Sequence, residues 1–163
     1  MSIRIAAAIA ATALLGAAAP AAEAQVLMEP NVSIHMAMTI AETALEQCTA
    51  RVSVAVLDRA GRMRVFLMGD DASPHNVELA RRKAYTALTF RRSSLDWAKR
   101  TEPGSQTAGQ RMLADVITQQ GGVPIMKGNQ AIGAVGLSGA PNGGQQEEDC
   151  GKAGIAKVAD QLK

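Results

Sequence analysis

Aromatic residues are scarce in this 163-residue sequence, which contains two Phe, one Tyr and one Trp. So few rings argue against a base-stacking platform for single-stranded nucleic acid. The charge balance is also mild, because the formal net charge is only +2 at pH 7. Such a balance favours neither nucleic acid nor a membrane surface as a partner. We therefore expect a core of Val, Ile, Leu, Met and Ala, and no nucleic-acid partner.

Common catalytic motifs are missing as well. The chain has neither the phosphate-binding pattern G-x-x-x-x-G-K-[ST] nor the dinucleotide pattern G-x-G-x-x-G, and it has no H-E-x-x-H. An acidic cluster, Glu147-Glu148-Asp149, is best interpreted as a favourable charge in the first turn of a helix, with weak cation binding as the alternative. No enzyme mechanism can be written from these residues, and we expect a binding protein rather than an enzyme.

A long apolar run occurs only at the start of the chain. Met1–Ala24 has the pattern of a secretory signal, in which Arg4 precedes the apolar run Ile5–Ala19 and a small-residue cleavage site follows. The run is too short and too rich in alanine to predict a membrane span. We expect cleavage before Gln25, a single domain over 25–163 without a membrane span, and a periplasmic or secreted location.

Cysteine is rare, with only Cys48 and Cys150 in the chain. In an oxidising compartment an even number of cysteines indicates one disulfide. No Cys-x-x-Cys occurs, so neither a redox motif nor a zinc knuckle is supported. Two buried thiols are the alternative to the disulfide.

Hydrophobic periodicity predicts the element order α-β-β-α-α-α-β-β-α. The expected helices cover residues 34–49, 74–90, 93–98, 108–119 and 146–162, and the expected strands cover 52–58, 63–68, 123–126 and 131–137. Two hairpins separated by helices favour an α+β fold with an antiparallel sheet. Pro124 cannot donate to a ladder, which predicts an edge strand there.

The helix over 74–90 is the most informative element. Ser73 fits its N-cap, and Pro74 fits its first position. Ala80, Ala84 and Ala87 lie on one face, and such a row allows close approach to a flat surface such as a sheet.

His75 lies in the first turn of this helix, where the positive end of the helix dipole favours a neutral imidazole. A neutral imidazole can bind a metal, whereas a solvated loop histidine is the alternative. The other histidine, His35, is interpreted as a surface residue.

Five phrases in order carry a resemblance to a known family. They are Val54-Ala55-Val56-Leu57-Asp58-Arg59-Ala60-Gly61, Ala80-Arg81-Arg82-Lys83-Ala84-Tyr85-Thr86-Ala87, Gly121-Gly122-Val123-Pro124-Ile125, Ile132-Gly133-Ala134-Val135-Gly136-Leu137-Ser138-Gly139 and Cys150-Gly151-Lys152-Ala153-Gly154-Ile155. In this order the chain resembles the GlcG/HbpS family of haem-binding-protein-like domains, which includes the C-terminal domain of PduO-type proteins.

The resemblance implies a profilin-like antiparallel sheet flanked by helices, homo-oligomers from dimers to octamers, and haem as a cofactor. It makes His75 a candidate axial ligand of the haem iron. Arg82 and Lys83 are candidate partners for the haem propionates, and Tyr85 is a weaker candidate ligand through its phenolate. It also implies that the first and last helices lie close together, which supports a bond between Cys48 and Cys150.

Three functions therefore compete. The first is an exported haem-binding protein that serves storage, sensing or transfer. The second is a protein or enzyme of the glycolate-associated type that binds a small carboxylate at the arginine–lysine cluster or at the start of the last helix. The third is an oligomeric module without a ligand.

Overall fold

The computed structural model describes residues 26–163, so the predicted signal sequence over 1–24 lies outside the described residues. The helices are α1 (Ile34–Gln47), α2 (Asn76–Phe90), α3 (Ser94–Arg100) and α4 (Gly144–Ala156), and the strands are β1 (Ser53–Asp58), β2 (Met63–Met68), β3 (Gly122–Lys127) and β4 (Gln130–Ser138). Short 3-10 helices cover Ala108–Met112 and Ala159–Leu162. Among the helices of this described part, none has the length and apolar character needed to cross a membrane.

The four strands form one antiparallel sheet in the order β2-β1-β4-β3. The two hairpins meet at its centre, where Ser53 of β1 lies opposite Ser138 of β4. Strand β3, which contains Pro124, is an edge strand as predicted. These features confirm the α+β fold with an antiparallel sheet that the hairpin pattern indicated.

One face of the sheet carries large aliphatic side chains and is covered by α1 and α4. Val54 and Val56 of β1 share a buried cluster with Val135 and Leu137 of β4 and with Ile40 of α1. Strand residues two positions apart point to the same face, so the alternation seen in the sequence places these side chains together.

The opposite face carries small side chains and is covered by α2. Ala55 lies opposite Gly136 in the β1–β4 pair, and Ala134 shares a second buried cluster with Ala84 of α2. A Cβ at Gly136 would meet the carbonyl oxygen of Ala80 and would lie 2.5 Å from the amide nitrogen of Ala84. The predicted small row thus places the helix backbone directly on the sheet, and Gly136 leaves the space that this contact needs.

The segment 108–119 is not the amphipathic helix that its pattern predicted. Only the 3-10 helix Ala108–Met112 forms, it buries no side chain, and Met112 is 87% exposed. Arg111 donates to two backbone carbonyls at the end of α3, and Asp115 has a φ of 65°. These side-chain bonds fix the segment in an irregular path, and a residue in left-handed backbone cannot continue a helix.

Cys48 and Cys150 are free thiols in this structure, so the predicted disulfide is wrong for it. Cys150 donates instead to the carbonyl oxygen of Gln47, with 3.7 Å between the sulfur and the oxygen. Burial, reinforced by the neighbouring Cys150 thiol, raises the pKa of Cys48 to about 12. Burial also raises the pKa of Cys150.

Candidate functional site

A groove of about 400 Å³ opens where the start of α2, the end of β4 and the start of α4 meet. Ligand pockets have volumes of roughly 300–1,000 Å³, so this groove is large enough for a small molecule. Its polar lining includes His75, Asn76, Lys83, Gln120, Ser138 and Glu147. A larger groove of about 530 Å³ lies between the end of α1 and the start of α4, and its lining is mostly amide side chains. The smaller groove is the better candidate because it contains buried charges.

Lys83 and Glu147 form a buried ion pair in this groove. Nζ of Lys83 lies 2.6 Å from Oε2 of Glu147, and the two side chains are 4% and 5% exposed. Oε1 of Glu147 accepts from the backbone N–H groups of Gly139 at 2.7 Å and Ala140 at 3.3 Å. A buried pair persists only where further hydrogen bonds offset the cost of desolvation. Glu147 meets this condition through Oε1, which accepts both backbone N–H groups, while Oε2 accepts from Lys83.

Two consecutive glycines make room for this pair. A Cβ at Gly121 would lie 2.5 Å from Oε2 of Glu147 and 3.1 Å from Cδ of Lys83. A Cβ at Gly122 would meet the backbone carbonyl of Lys83. The pair therefore passes beside glycine backbone and links α2 on the small-residue face to α4 on the aliphatic face.

His75 lies at the rim of the groove as the N-cap of α2. The helix begins at Asn76 rather than at the predicted Pro74, because the Asn76 amide closes a turn with the Ser73 carbonyl at 3.0 Å. The His75 side chain is exposed and makes no capping hydrogen bond. Leu79, one helical turn later, adds an apolar side chain to the same groove. A free imidazole beside an apolar side chain can act as a metal ligand.

Two other predicted site residues do not line this groove. Arg82 pairs with a carboxylate one turn earlier in α2 and donates to a backbone carbonyl in the segment before β3. A Cβ at Gly61, in the turn between β1 and β2, would lie 3.2 Å from the ring of Tyr85. The structure thus brings His75 and Lys83 together and places Arg82 and Tyr85 elsewhere.

Two further ion pairs involve α2 and α4, but none of their side chains lines the groove. The Arg81 guanidinium, 2.6 Å from Asp115, holds the pKa of that carboxyl below its usual value. A hydrogen bond to Glu148 raises the pKa of Lys152. The exposed Arg81–Asp115 pair contributes little to stability. Glu148 is 5% exposed and also accepts from Gln120 at 2.8 Å, so among the described ion pairs only Lys83–Glu147 buries both side chains.

Asn76, Ser138 and Glu147 are site residues that the sequence patterns did not single out. The hydroxyl of Ser138 donates to Oδ1 of Asn76 at 3.2 Å, which ties the end of β4 to the start of α2. Glu147 belongs to the acidic cluster that was interpreted as a helix-dipole feature. The sequence contained one indication of the buried pair. A lysine stands beside the row of small residues in α2, and a carboxylate follows the glycine-rich loop before α4. Over residues 26–163, no group of three or more His, Cys, Asp or Glu side chains is arranged to hold a metal ion.

The fold and the site define a class of protein: a single α+β domain with a four-stranded antiparallel sheet between helices and an open polar groove at one end. A family model described as haem degrading protein HbpS-like matches residues 32–156. Because this match covers most of the chain, the protein belongs to the HbpS-like family, as the five phrases predicted.

Individual relatives agree with this assignment. Protein GlcG of Escherichia coli strain K12 is 35% identical over 88 residues, which is 53% of this chain and 63% of GlcG. A double mutant of HbpS from Streptomyces reticuli superposes with a TM-score of 0.77 at 30% identity and covers 88% of this chain and 99% of its own. A complex of PduOC with haem superposes with a TM-score of 0.68 at 26% identity and covers 77% of this chain and 94% of its own.

Proposed function

We propose that this chain is an exported haem-binding protein that serves haem storage, sensing or transfer. The observation that carries the proposal is the free imidazole of His75 at the rim of the groove. Membership of the HbpS-like family and the similarity to the PduOC–haem complex support haem as the ligand. Export rests on the signal pattern of residues 1–24.

Two residues at the rim of the groove support a haem there. His75 can ligate the iron, and Leu79 offers an apolar contact for the porphyrin edge. Haem supplies an iron centre able to bind or activate small oxidants, while the protein holds it and limits its access to solvent. The polar inner end of the groove suits the acidic edge of a porphyrin better than its apolar faces.

A haemin titration with matched histidine variants tests the proposal. Wild-type protein is expected to give a saturable Soret band at one haem per chain. His75→Ala should shift this band and weaken binding by roughly tenfold or more, because it removes the proposed iron ligand. His35→Ala is the control, since His35 is the other exposed histidine and lies at the start of α1.

Two results would contradict this proposal. If the wild-type protein does not bind haemin, the chain is a module without this ligand. If wild type and His75→Ala give identical spectra, His75 does not belong to the haem site. Light scattering of the same samples tests the proposed homo-oligomer with and without haem. The mass of the protein recovered from its native compartment tests cleavage before Gln25.

A further inference from the structure

We propose that the thiols of Cys48 and Cys150 together form a binding site for a soft monovalent metal ion of the class to which Cu(I) belongs. The site lies where the end of α1 meets α4, beside the larger groove of about 530 Å³. This inference goes beyond the proposed function, because the site uses neither His75 nor the groove that His75 lines.

Two packed helices hold the sulfurs next to each other. Cys48 is the C-cap of α1 and Cys150 belongs to α4, and their thiols are neighbouring and free. A Cβ at Gly154 would meet the backbone carbonyl of Ile40, so the backbones of α1 and α4 are in close contact one turn after Cys150. The packing therefore brings the sulfurs together before an ion arrives, and preorganised ligands lose little entropy on binding.

The larger groove gives an ion access to the sulfur pair. Cys150 lines this groove together with Gln47, whose carbonyl oxygen lies 3.7 Å from the Cys150 sulfur. The rest of the lining includes the exposed carboxylate of Asp149 and the neutral amides of Asn142, Gln145 and Gln146. A hydrated ion can thus reach the thiols across a polar surface without opening the core.

The number of donors selects the kind of ion. Thiolates bind soft ions such as Cu(I) and borderline ions such as Zn²⁺, but a protein zinc site supplies three or four ligands. Over residues 26–163, no group of three or more His, Cys, Asp or Glu side chains could hold a metal. Ca²⁺ and Mg²⁺ require oxygen ligands. A pair of sulfurs without a third strong donor suits Cu(I), which has a filled d shell and is satisfied by two thiolates.

Binding exchanges two protons for one ion. Both S–H bonds break, two S–Cu bonds form and both protons pass to solvent, while the copper stays Cu(I) and no electron is transferred. Burial raises the pKa of both thiols, and the carboxylates of Asp149 and Glu147 raise that of Cys150 further. Protons therefore compete with the ion, and the affinity should rise with pH by up to about a hundredfold per pH unit.

Competition with a chromophoric Cu(I) chelator tests this inference. The haem-free full chain, with its thiols reduced, is titrated without oxygen against bathocuproinedisulfonate and Cu(I) at two pH values one unit apart. We expect the wild type to take one Cu(I) per chain, more tightly at the higher pH, and to release two protons for each ion. X-ray absorption at the copper edge should count two sulfur neighbours.

Single variants locate the site. Cys48→Ala and Cys150→Ala should each lower the Cu(I) affinity by roughly a hundredfold or more, because only one thiolate remains. Met38→Leu is the matched control, since Met38 is a sulfur-bearing residue of α1 that packs against the same buried cluster. This control should bind Cu(I) like the wild type, and circular dichroism checks that each variant is folded.

Three results would overturn the inference. They are a wild type that takes no Cu(I) from the chelator at either pH, a copper environment without two sulfurs, and a folded cysteine variant that binds as tightly as the wild type. The sulfur count and the proton release use the wild type alone, so they test the site even if a cysteine variant does not fold. Haem binding through His75 depends on none of these results, and the two proposals can fail separately.

Discussion

The two faces of the sheet are built from the same central strands in different ways. On the aliphatic face, Val54 and Val135 keep α1 and α4 away from the strand backbone and bury large side chains. On the small-residue face, Gly136 lets the backbone of α2 contact the sheet. Because α2 packs closely on the sheet, the stem of Lys83 passes Gly121 and Gly122 at the start of β3 and reaches Glu147 of α4, the helix that covers the opposite face. A face of small residues lets a helix approach the sheet closely enough for its lysine to reach the far side. A face filled with large side chains holds its helices too far away for this.

The largest effect on stability is expected when the Lys83–Glu147 ion pair, which links α2 on one face to α4 on the other, is broken. Lys83→Met leaves the Glu147 carboxylate buried without its cation, which should cost roughly 3–5 kcal/mol of unfolding free energy. Adding Glu147→Gln should recover most of that loss. Arg81→Met breaks an exposed pair, in which the side chains of Arg81 and Asp115 are 36% and 47% exposed, and it should cost less than about 1 kcal/mol. Urea denaturation measures all three variants, and equal losses for Lys83→Met and Arg81→Met would contradict the buried pair.

A second test compares the two faces directly. Gly136→Ala places a methyl group against the α2 backbone and should cost roughly 3 kcal/mol or more, because neither backbone can move away. Gly151→Ala on the other face would place its Cβ 3.2 Å from a methyl group of Leu137, which can adjust. That change should stay within about 1 kcal/mol of wild type, helped by the better helix propensity of alanine. Similar losses from both variants would mean that the faces do not differ.

The smallest effect is a change in the pH dependence of stability, and it involves a residue of the aliphatic face alone. The pKa of Cys48 rises from 9.0 to about 12 in the folded protein, so the unfolded chain loses this proton first as pH increases. The stability that this thiol contributes is therefore complete below pH 9 and is lost progressively between pH 9 and 12. Cys48→Ala should show a shallower loss of stability over that window. Parallel pH curves for the two proteins would show that the thiol is not buried between α1 and α4.

Local chemistry made much of the fold predictable. Ser33 caps α1 by accepting from the Met36 amide at 3.1 Å, and Gly61 has the positive φ of 76° that its turn requires. Strand alternation and the proline of β3 depend on neighbouring residues alone, so they can be read from the sequence. The place of His75 at the start of a helix was also predictable, since a helix start is a local feature. Segment 108–119 was not, because its path depends on side-chain bonds from Arg111 to α3.

The sequence by itself determined the α+β class, the two hairpins and the small-residue row of α2, because periodicity and residue size act over a few positions. Only the tertiary structure decided the site. Lys83 and Glu147 are 64 positions apart, and their pairing depends on how two helices on opposite faces meet beside Gly121. It also decided that Cys48 and Cys150, which are 102 positions apart in the sequence, are neighbouring free thiols in this structure. Pairing between distant residues depends on packing geometry to within an ångström, and no local pattern carries that information.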